Sequence, residues 1–549
     1  MPKIEISHKD LCNLTGKKLS IDELKDAILY AKGEIDEVTG DVLKIDSKDT
    51  NRPDLWSTEG IARELKGRLT KETGLPKYKV RKSKVVVKVD DKVSKVRPYT
   101  VCAVVKNLKI DEFVLSQMIQ LQEKISAVFG RNRKEVAIGV YDLDKIKPPI
   151  KYTTVKPDGI KFIPLEFTEE LTPREIIEKH PKGKEFGHLL ADAKEYPIFI
   201  DKKGNVLSVP PLINSDYTGK VTEKTKNVFI ECSGFDFKFL VPALNVMVAA
   251  LADRKGIVQS VKVVYKNRVM NTPNLSPSSA AVDVDFVNKL TGFKLSGKEI
   301  CGLLEKARYK TKLKGNKIEV MYPSYRQDIM HPRDIAEDVV ISLGYNNIEP
   351  IVPKIATVGN LDKKELLNDH IYGLVIGLGL QEIMSYSLTN RKNLFEKMNL
   401  QEEKIVEIEN PVSANWNVFR NWLLPGLLEF LSSNTHVEYP QKIFEVGDVV
   451  HLDETKETGT VDVTKLAAAI SDTRVSYEDI SSVLDGLMRN LGIKYQLKPT
   501  EHSSFIPGRV ADIIVNKKSV GIIGEIHPSV LENWKIEMPV VAVEIKLEI

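Results

Sequence analysis

Four carboxylates crowd one short stretch of the chain: Asp328, Asp334, Glu337 and Asp338, all between Tyr325 and Tyr345. Pro332 suits a first helical turn and Gly344 a stop, so the spacing predicts a helix between them. Asp334, Glu337 and Asp338 then stand at i, i+3 and i+4 on one face, with Asp328 in the loop just before it. Two chemistries fit this pattern. Clustered carboxylates repel unless a cation compensates them, and an all-oxygen set suits a hard ion such as Mg2+. Acidic residues in a first helical turn are also favoured by the helix dipole alone, and Arg326 and Arg333 stand near enough to neutralise them. On spacing alone the second reading is slightly favoured.

Other catalytic patterns are missing. Gly292-Phe-Lys-Leu-Ser-Gly-Lys-Glu299 nearly repeats a phosphate loop, but Glu299 replaces the hydroxyl that would hold Mg2+. A negative charge there repels phosphate, so the segment reads as a helix–turn–helix junction. No HExxH, no GxSxG and no GxGxxG with a following acidic partner occurs. The histidines do not pair at ligand spacing. Cys12, Cys102, Cys232 and Cys301 are far apart, which argues against a thiolate zinc site and a disulfide framework.

A chain of 549 residues is too long for one core, so roughly three to five domains are expected. Hydrophobic content of 42% and charged content of 28% fit a soluble globular protein. A net charge of +4 neither requires a nucleic-acid partner nor excludes one docked on a local patch. The start, Met-Pro-Lys-Ile-Glu-Ile, has no apolar signal segment, and no apolar run could span a bilayer. The expected location is the cytoplasm.

The elements follow from local signals. A strand over Lys3 to Ile6 precedes a helix opened by the Ser20–Glu23 capping-box pattern. A strand over Asp41 to Ile45 leads to a turn at Pro53-Asp54. Leu55, Ile61, Ala62 and Leu65 then mark a buried helix side. Lys77 to Arg97 interleaves lysines with valines, as a strand with one solvated face does. A helix runs from Glu112 to Phe129, and the basic Arg131-Asn-Arg-Lys134 follows it. Val209 to Ser215 reads as a rigid polar loop and Met270 to Pro277 as a linker. Residues 279–350 read strand, helix, helix, strand, helix. From Ile351 onward a helix carries Leu366, Leu367, Ile371, Leu374 and Val375. Strands over Val510 to Val515, Ser519 to Ile523 and Val540 to Ile545 close the chain.

Several ordered motifs resemble the β subunits of phenylalanyl-tRNA synthetase, of the archaeal and eukaryotic type. They are Asn51-Arg-Pro-Asp-Leu with Gly60-Ile-Ala-Arg-Glu64, Ile138-Gly-Val-Tyr-Asp-Leu-Asp-Lys145 and Pro210-Pro-Leu-Ile-Asn-Ser215. Tyr325-Arg-Gln-Asp-Ile with Asp334-Ile-Ala-Glu-Asp338, Phe419-Arg-Asn-Trp-Leu-Leu-Pro-Gly-Leu-Leu428 and Ile443-Phe-Glu-Val-Gly447 complete the series. The likeness runs nearly end to end.

The resemblance implies a multidomain α+β protein. Residues 1–80 form an N-terminal α+β domain and 81–270 a mixed α/β editing domain. Residues 271–350 form a small winged-helix-like module with the fold of a DNA-binding domain. Residues 351–549 form a class II synthetase-like antiparallel core lacking the catalytic motifs. Arg420 sits where the second class II motif would be, and nothing like the third motif follows. The implied function is ATP-dependent attachment of phenylalanine to tRNAPhe, with a catalytic α subunit that binds ATP and phenylalanine in an α2β2 tetramer. The resemblance also implies that Asp328, Asp334, Glu337 and Asp338 bind Mg2+ at the boundary with α. It further implies that Ser208, Asn214, Glu231 and Ser233 line a pocket that hydrolyses mischarged Tyr-tRNAPhe. The helix from Lys364 to Gly377 becomes an inter-subunit face, and Lys77 to Lys84 and Arg131 to Lys134 are basic candidates for tRNA contact. Two rivals remain: a non-catalytic tRNA-binding scaffold, and a free-standing editing hydrolase.

Overall fold

The computed structural model describes residues 2–547. Internal contacts divide the chain into two units, one up to Ile351 and one from Val352 onward. In the first, Lys3–Ser7 and Gly33–Thr39 flank Val42–Ser47 in a three-stranded antiparallel sheet. The helix Ile21–Ile28 opens with the expected capping box, Ser20 and Glu23 each bonding the other's backbone N–H. The helix Thr58–Leu69 buries the expected Ile61, Ala62 and Leu65, and it also buries Glu59, Arg63 and Glu64. These charges survive burial through partners distant in sequence: Arg63 donates to Asp253 at 2.7 Å, and Glu59 accepts from Arg254.

The main body of this unit is a ten-stranded mixed sheet. From one edge it runs Ile213–Asn214, Val206–Val209, Tyr196–Ile200, Ile150–Val155, Arg81–Val89, Ile257–Val264, Tyr99–Lys106, Val228–Gly234 and Val136–Asp142. Arg81–Val89 is parallel to both of its neighbours, and the remaining pairs are antiparallel. Its valines behave as strand periodicity demands: Val85 and Val87 are buried while Lys82, Lys84 and Lys88 are exposed. The expected linker after Met270 begins as sheet, because Val269–Thr272 pairs with Ile257–Val264. Thr272 Oγ1 bonds both backbone groups of Cys102, at 2.9 and 2.7 Å. The helix Phe237–Asp253 and the helix Glu112–Lys124 cover one face with a continuous apolar core.

Residues 278–343 add one element to the expected order. Lys310–Lys314 and Lys317–Tyr322 form a hairpin beside Ser278–Asp283. The near-phosphate-loop segment is indeed a junction between the helices Val284–Thr291 and Gly297–Lys306, where Glu299 completes a capping box with Ser296. The acidic helix spans Pro332–Leu343 and stops at Gly344, whose φ of +91° disfavours any side chain.

The second unit is a seven-stranded sheet ordered Gln381–Glu382, Gln441–Leu452, Thr460–Ser471, Val540–Lys546, Lys518–Ile526, Phe505–Val515 and Gln496–Pro499. Every pair but the first is antiparallel. Strand alternation splits its two cores. Leu466, Ala468 and Ile470 face the helices Lys363–Gly377 and Tyr477–Asn490. Ala467 and Ala469 face Leu424–Ser433 and Pro528–Trp534. No helix among the described residues is long and apolar enough to cross a membrane.

Candidate active site

The two edges of the ten-stranded sheet face each other across a seam. Tyr141, on the edge strand Val136–Asp142, touches Ser208 of Val206–Val209 at 2.7 Å. Arg133, just before the same edge strand, donates to the carbonyls of Pro211 and Leu212 at 3.0 and 2.9 Å. The seam holds a cavity of about 340 Å³. Leu115, Met118, Val140 and Ile213 give it apolar walls, while Ser208, Asn214 and Glu231 supply polar groups. That size and mixture suit one small organic group.

Glu231 is the unusual member. It is 2% exposed, and its Oε2 has no hydrogen-bond partner. Its Oε1 meets the Tyr141 hydroxyl at 3.1 Å. Burial pushes its carboxyl up to about 8, although the Tyr141 hydroxyl, the Arg97 guanidinium and the nearby Ser233 hydroxyl pull the other way. At neutral pH the group is therefore mostly the uncharged acid, able both to donate and to accept. A phenol has one proton, so the Ser208–Tyr141–Glu231 series takes its second proton from the serine or the carboxylic acid.

The local chain makes room for this series. Gly139 is the register partner of Glu231. A Cβ at Gly139 would lie 2.0 Å from the Tyr141 hydroxyl, and the Tyr141 ring is fully buried with nowhere to retreat. Gly139→Ala is expected to destabilise the first unit by about 1–3 kcal/mol, measured by urea unfolding. An unchanged midpoint would show that Tyr141 can move.

Three of the four expected pocket residues, Ser208, Asn214 and Glu231, meet at this cavity. Ser233 does not line it. Its hydroxyl accepts from Arg97 Nε at 3.2 Å, because the buried guanidinium fills the space beyond the strand end. Sequence reasoning missed Tyr141, although the motif Ile138-Gly-Val-Tyr-Asp contains both the tyrosine and the glycine that admits it.

The four expected Mg2+ ligands do not form one cage within this chain. Asp328 takes a two-pronged pair from Arg326, at 2.8 and 2.6 Å. Asp338 accepts from Arg326 at 2.8 Å and from the Tyr309 hydroxyl at 2.6 Å. Burial favours the neutral acid, but Arg326 and Arg52 hold the Asp328 carboxyl far below the usual carboxylate range. Asp334 caps the helix, accepting from the N–H groups of Met330 and His331 at 2.8 and 2.6 Å. Glu337 is half exposed and reaches Lys32 at 3.0 Å. Among the described residues no three His, Cys, Asp or Glu converge as metal ligands. Arg326 supplies the counter-charge to the inner pair, so only Asp334 and Glu337, on the outer face, fit a hydrated ion.

In the second unit Arg420 is held through Nε and Nη1. It donates to Glu445 at 2.6 Å, to Ser385 at 2.9 Å and to the carbonyl of Asp448 at 3.0 Å. Its side chain is 8% exposed, which makes it a structural ion-pair partner.

Comparison with known proteins now adds to this geometry. The B3/4 domain matches residues 86–240, the tRNA synthetase B5 domain residues 280–345, and the phenylalanyl tRNA synthetase beta chain CLM domain residues 348–547. The seam cavity is built almost wholly from the first of these, and the acidic helix belongs to the second. These domains define an aminoacyl-tRNA synthetase polypeptide. The phenylalanine–tRNA ligase beta subunit of Pyrococcus horikoshii is 54% identical over 100% of this chain and 99% of its own length. That of Methanocaldococcus jannaschii is 40% identical over the whole of both chains. A crystal structure of an N-terminal fragment of the Pyrococcus horikoshii β-subunit has a TM-score of 0.61 at 53% identity, covering 63% of this chain and all of that one. The chain belongs to the family of phenylalanine–tRNA ligase β subunits, polypeptides of the enzyme that joins phenylalanine to its tRNA.

Proposed function

We propose that this chain is the proofreading and assembly partner of a catalytic α subunit. Amino-acid activation, with its ATP and phenylalanine, belongs to α, and the complex is an α2β2 tetramer acting on tRNAPhe. The class II-like reading of the second unit, without activating chemistry, is supported by Arg420. Its Nη1 is paired with Glu445, which competes with a phosphate for that nitrogen. The interface reading of Lys363–Gly377 is supported by the exposed side chains of Leu366, Leu367 and Ile376.

The carrying observation is the buried, unpartnered Oε2 of Glu231 inside a small, mostly apolar cavity. A tyrosyl group bound there satisfies that oxygen with its para-hydroxyl. A phenylalanyl group leaves it orphaned, at a cost of about 1–3 kcal/mol. The Ser208 hydroxyl in the lining is held by Tyr141, and water is the nucleophile. It adds to the ester carbonyl, and the bond to the ribose oxygen breaks. Tyrosine leaves as the acid, and the tRNA regains its hydroxyl. The deciding experiment incubates Tyr-tRNAPhe and Phe-tRNAPhe with the chain co-purified with α. Selective loss of the tyrosyl ester supports the reading, and binding without turnover supports a scaffold instead. Hydrolysis with no requirement for α in any charging reaction would favour the free-standing hydrolase.

Asp334 and Glu337 would be the residues of this chain that hold a hydrated Mg2+, and the ion would neutralise their charge where α docks. The double variant Asp334→Ala/Glu337→Ala is expected to weaken α–β assembly and its magnesium dependence, read by analytical ultracentrifugation. Assembly indifferent both to chelator and to the double substitution would refute the ion's role.

A further inference from the structure

The sheet end next to the cavity carries a set of rings that the proofreading reading leaves unused. Tyr99, Phe237 and Tyr265 lie with centroids 4.5 to 6.4 Å apart. The exposed Arg268 guanidinium sits over all three, 4.4 Å from the Phe237 ring, 4.9 Å from Tyr265 and 5.2 Å from Tyr99. Phe235 is 47% exposed, although a phenylalanine at a strand end loses solvation energy by staying in water.

This cluster is joined to the cavity. Arg97 lies under Phe235 at 5.5 Å and donates to the carbonyls of Ser233 and Arg133, at 2.6 and 3.1 Å. Arg133 in turn lines the cavity. Arg131 crosses to the other side of the same patch and stands 5.7 Å over Phe239. The buried Arg97 therefore ties the strand end that carries the rings to the loop that borders the site.

Charge decides what such a surface binds. Arg131, Lys134, Lys238 and Arg268 are exposed around the rings, against the carboxylates of Asp236 and Glu135. A surplus of cations among partly open aromatic faces suits unpaired nucleotides: bases stack on the rings and phosphates meet the guanidinium groups. An apolar peptide would gain nothing from the cations, and a duplex would not reach the ring faces.

We propose that Phe235, Phe237 and Arg268 form a stacking platform for unpaired nucleotides, which leads the single-stranded 3′ end of the charged RNA into the cavity. This rests on the proofreading reading and names how its substrate is held.

The test uses the full chain co-purified with α. Phe235→Ala and Arg268→Ala are each expected to raise the Kd of a short single-stranded RNA about tenfold, read by fluorescence anisotropy. Cleavage of Tyr-tRNAPhe should fall through KM. Cleavage of 3′-O-tyrosyl-adenosine, which lacks the preceding nucleotides, should be unchanged. Phe235→Tyr, which keeps a stacking face, should restore RNA binding, and Phe235→Leu should not. Unchanged RNA binding in both alanine variants overturns the platform, as does equal loss on the two esters. Weakened α assembly with intact RNA binding also overturns it and marks a protein interface. If the parent chain cleaves neither ester while the variants lose RNA binding, the platform stands and the hydrolytic reading falls.

Discussion

Glu231→Ala is expected to lower Tyr-tRNAPhe hydrolysis by about a hundredfold or more while leaving phenylalanine charging intact. Among the buried side-chain oxygens lining the cavity, only Glu231 Oε2 lacks a partner, so its removal takes away the buried contact for the tyrosyl hydroxyl. Glu231→Gln separates that role from folding. The parent carboxyl, at about 8 in the folded chain against an ordinary value near 4.5, binds more protons folded than unfolded between those limits. Its contribution to stability is fully present below about pH 4.5 and is lost as pH rises through 8. Gln carries no such loss. The variant should match the parent near pH 4.5 and exceed it by on the order of 3–5 kcal/mol at pH 8–9. Urea unfolding of the first unit at both pH values measures the difference. A gap that does not widen with pH would mean that Glu231 is ionised in the folded chain. Equal loss of editing and charging in Glu231→Ala would mean misfolding.

Arg326→Met should destabilise the first unit by about 3–5 kcal/mol at pH 7. The guanidinium is 3% exposed and serves both Asp328 and Asp338, whose side chains are 6% and 4% exposed. Without it the next cation, Arg52, is 3.9 Å from Asp328 and already bound to Asp54 at 2.9 Å. Two buried carboxylates would then stand almost uncompensated. Glu64 belongs to the same network. Burial raises it, but Arg68 and Arg52 bring its carboxyl down to about 2. The stability held by such depressed carboxylates is present above pH 4.5 and drains away as pH falls toward 2. The gap between variant and parent should therefore narrow in acid, since protonated carboxyls no longer need the arginine. Removing the exposed pair partner in Arg174→Ala should leave the unfolding midpoint nearly unchanged and serves as the control. A small effect of Arg326→Met at neutral pH would show that another cation replaces it, and would reopen a metal role for Asp328 and Asp338.

Much of the chain could be read from its letters, because the deciding interactions span only a few residues. Ser20 and Glu23 announce a capping box, and Pro332 with Gly344 bounds the acidic helix. The lysine–valine alternation of Arg81–Val89 states which face is buried. Two of the strands that were not legible escaped for local reasons. Lys310–Lys314 has a nearly all-polar sequence, and Val269–Thr272 runs into a proline that signals a turn. Pairing partners far along the chain override both signals.

From the letters alone come the ordered motifs, the capped helices, several strands and the family they resemble. Through that resemblance come Glu231, Ser208 and Asn214. Folding alone sets Tyr141 between Glu231 and Ser208, engages the Ser233 hydroxyl with Arg97, and places Arg326 against both Asp328 and Asp338. The physical reason is the difference in range. Caps and alternation are settled within a turn or a strand. The cavity exists because a ten-stranded sheet curls until Tyr141 at one edge meets Ser208 near the other, 67 positions further along the chain. No local pattern encodes that closure.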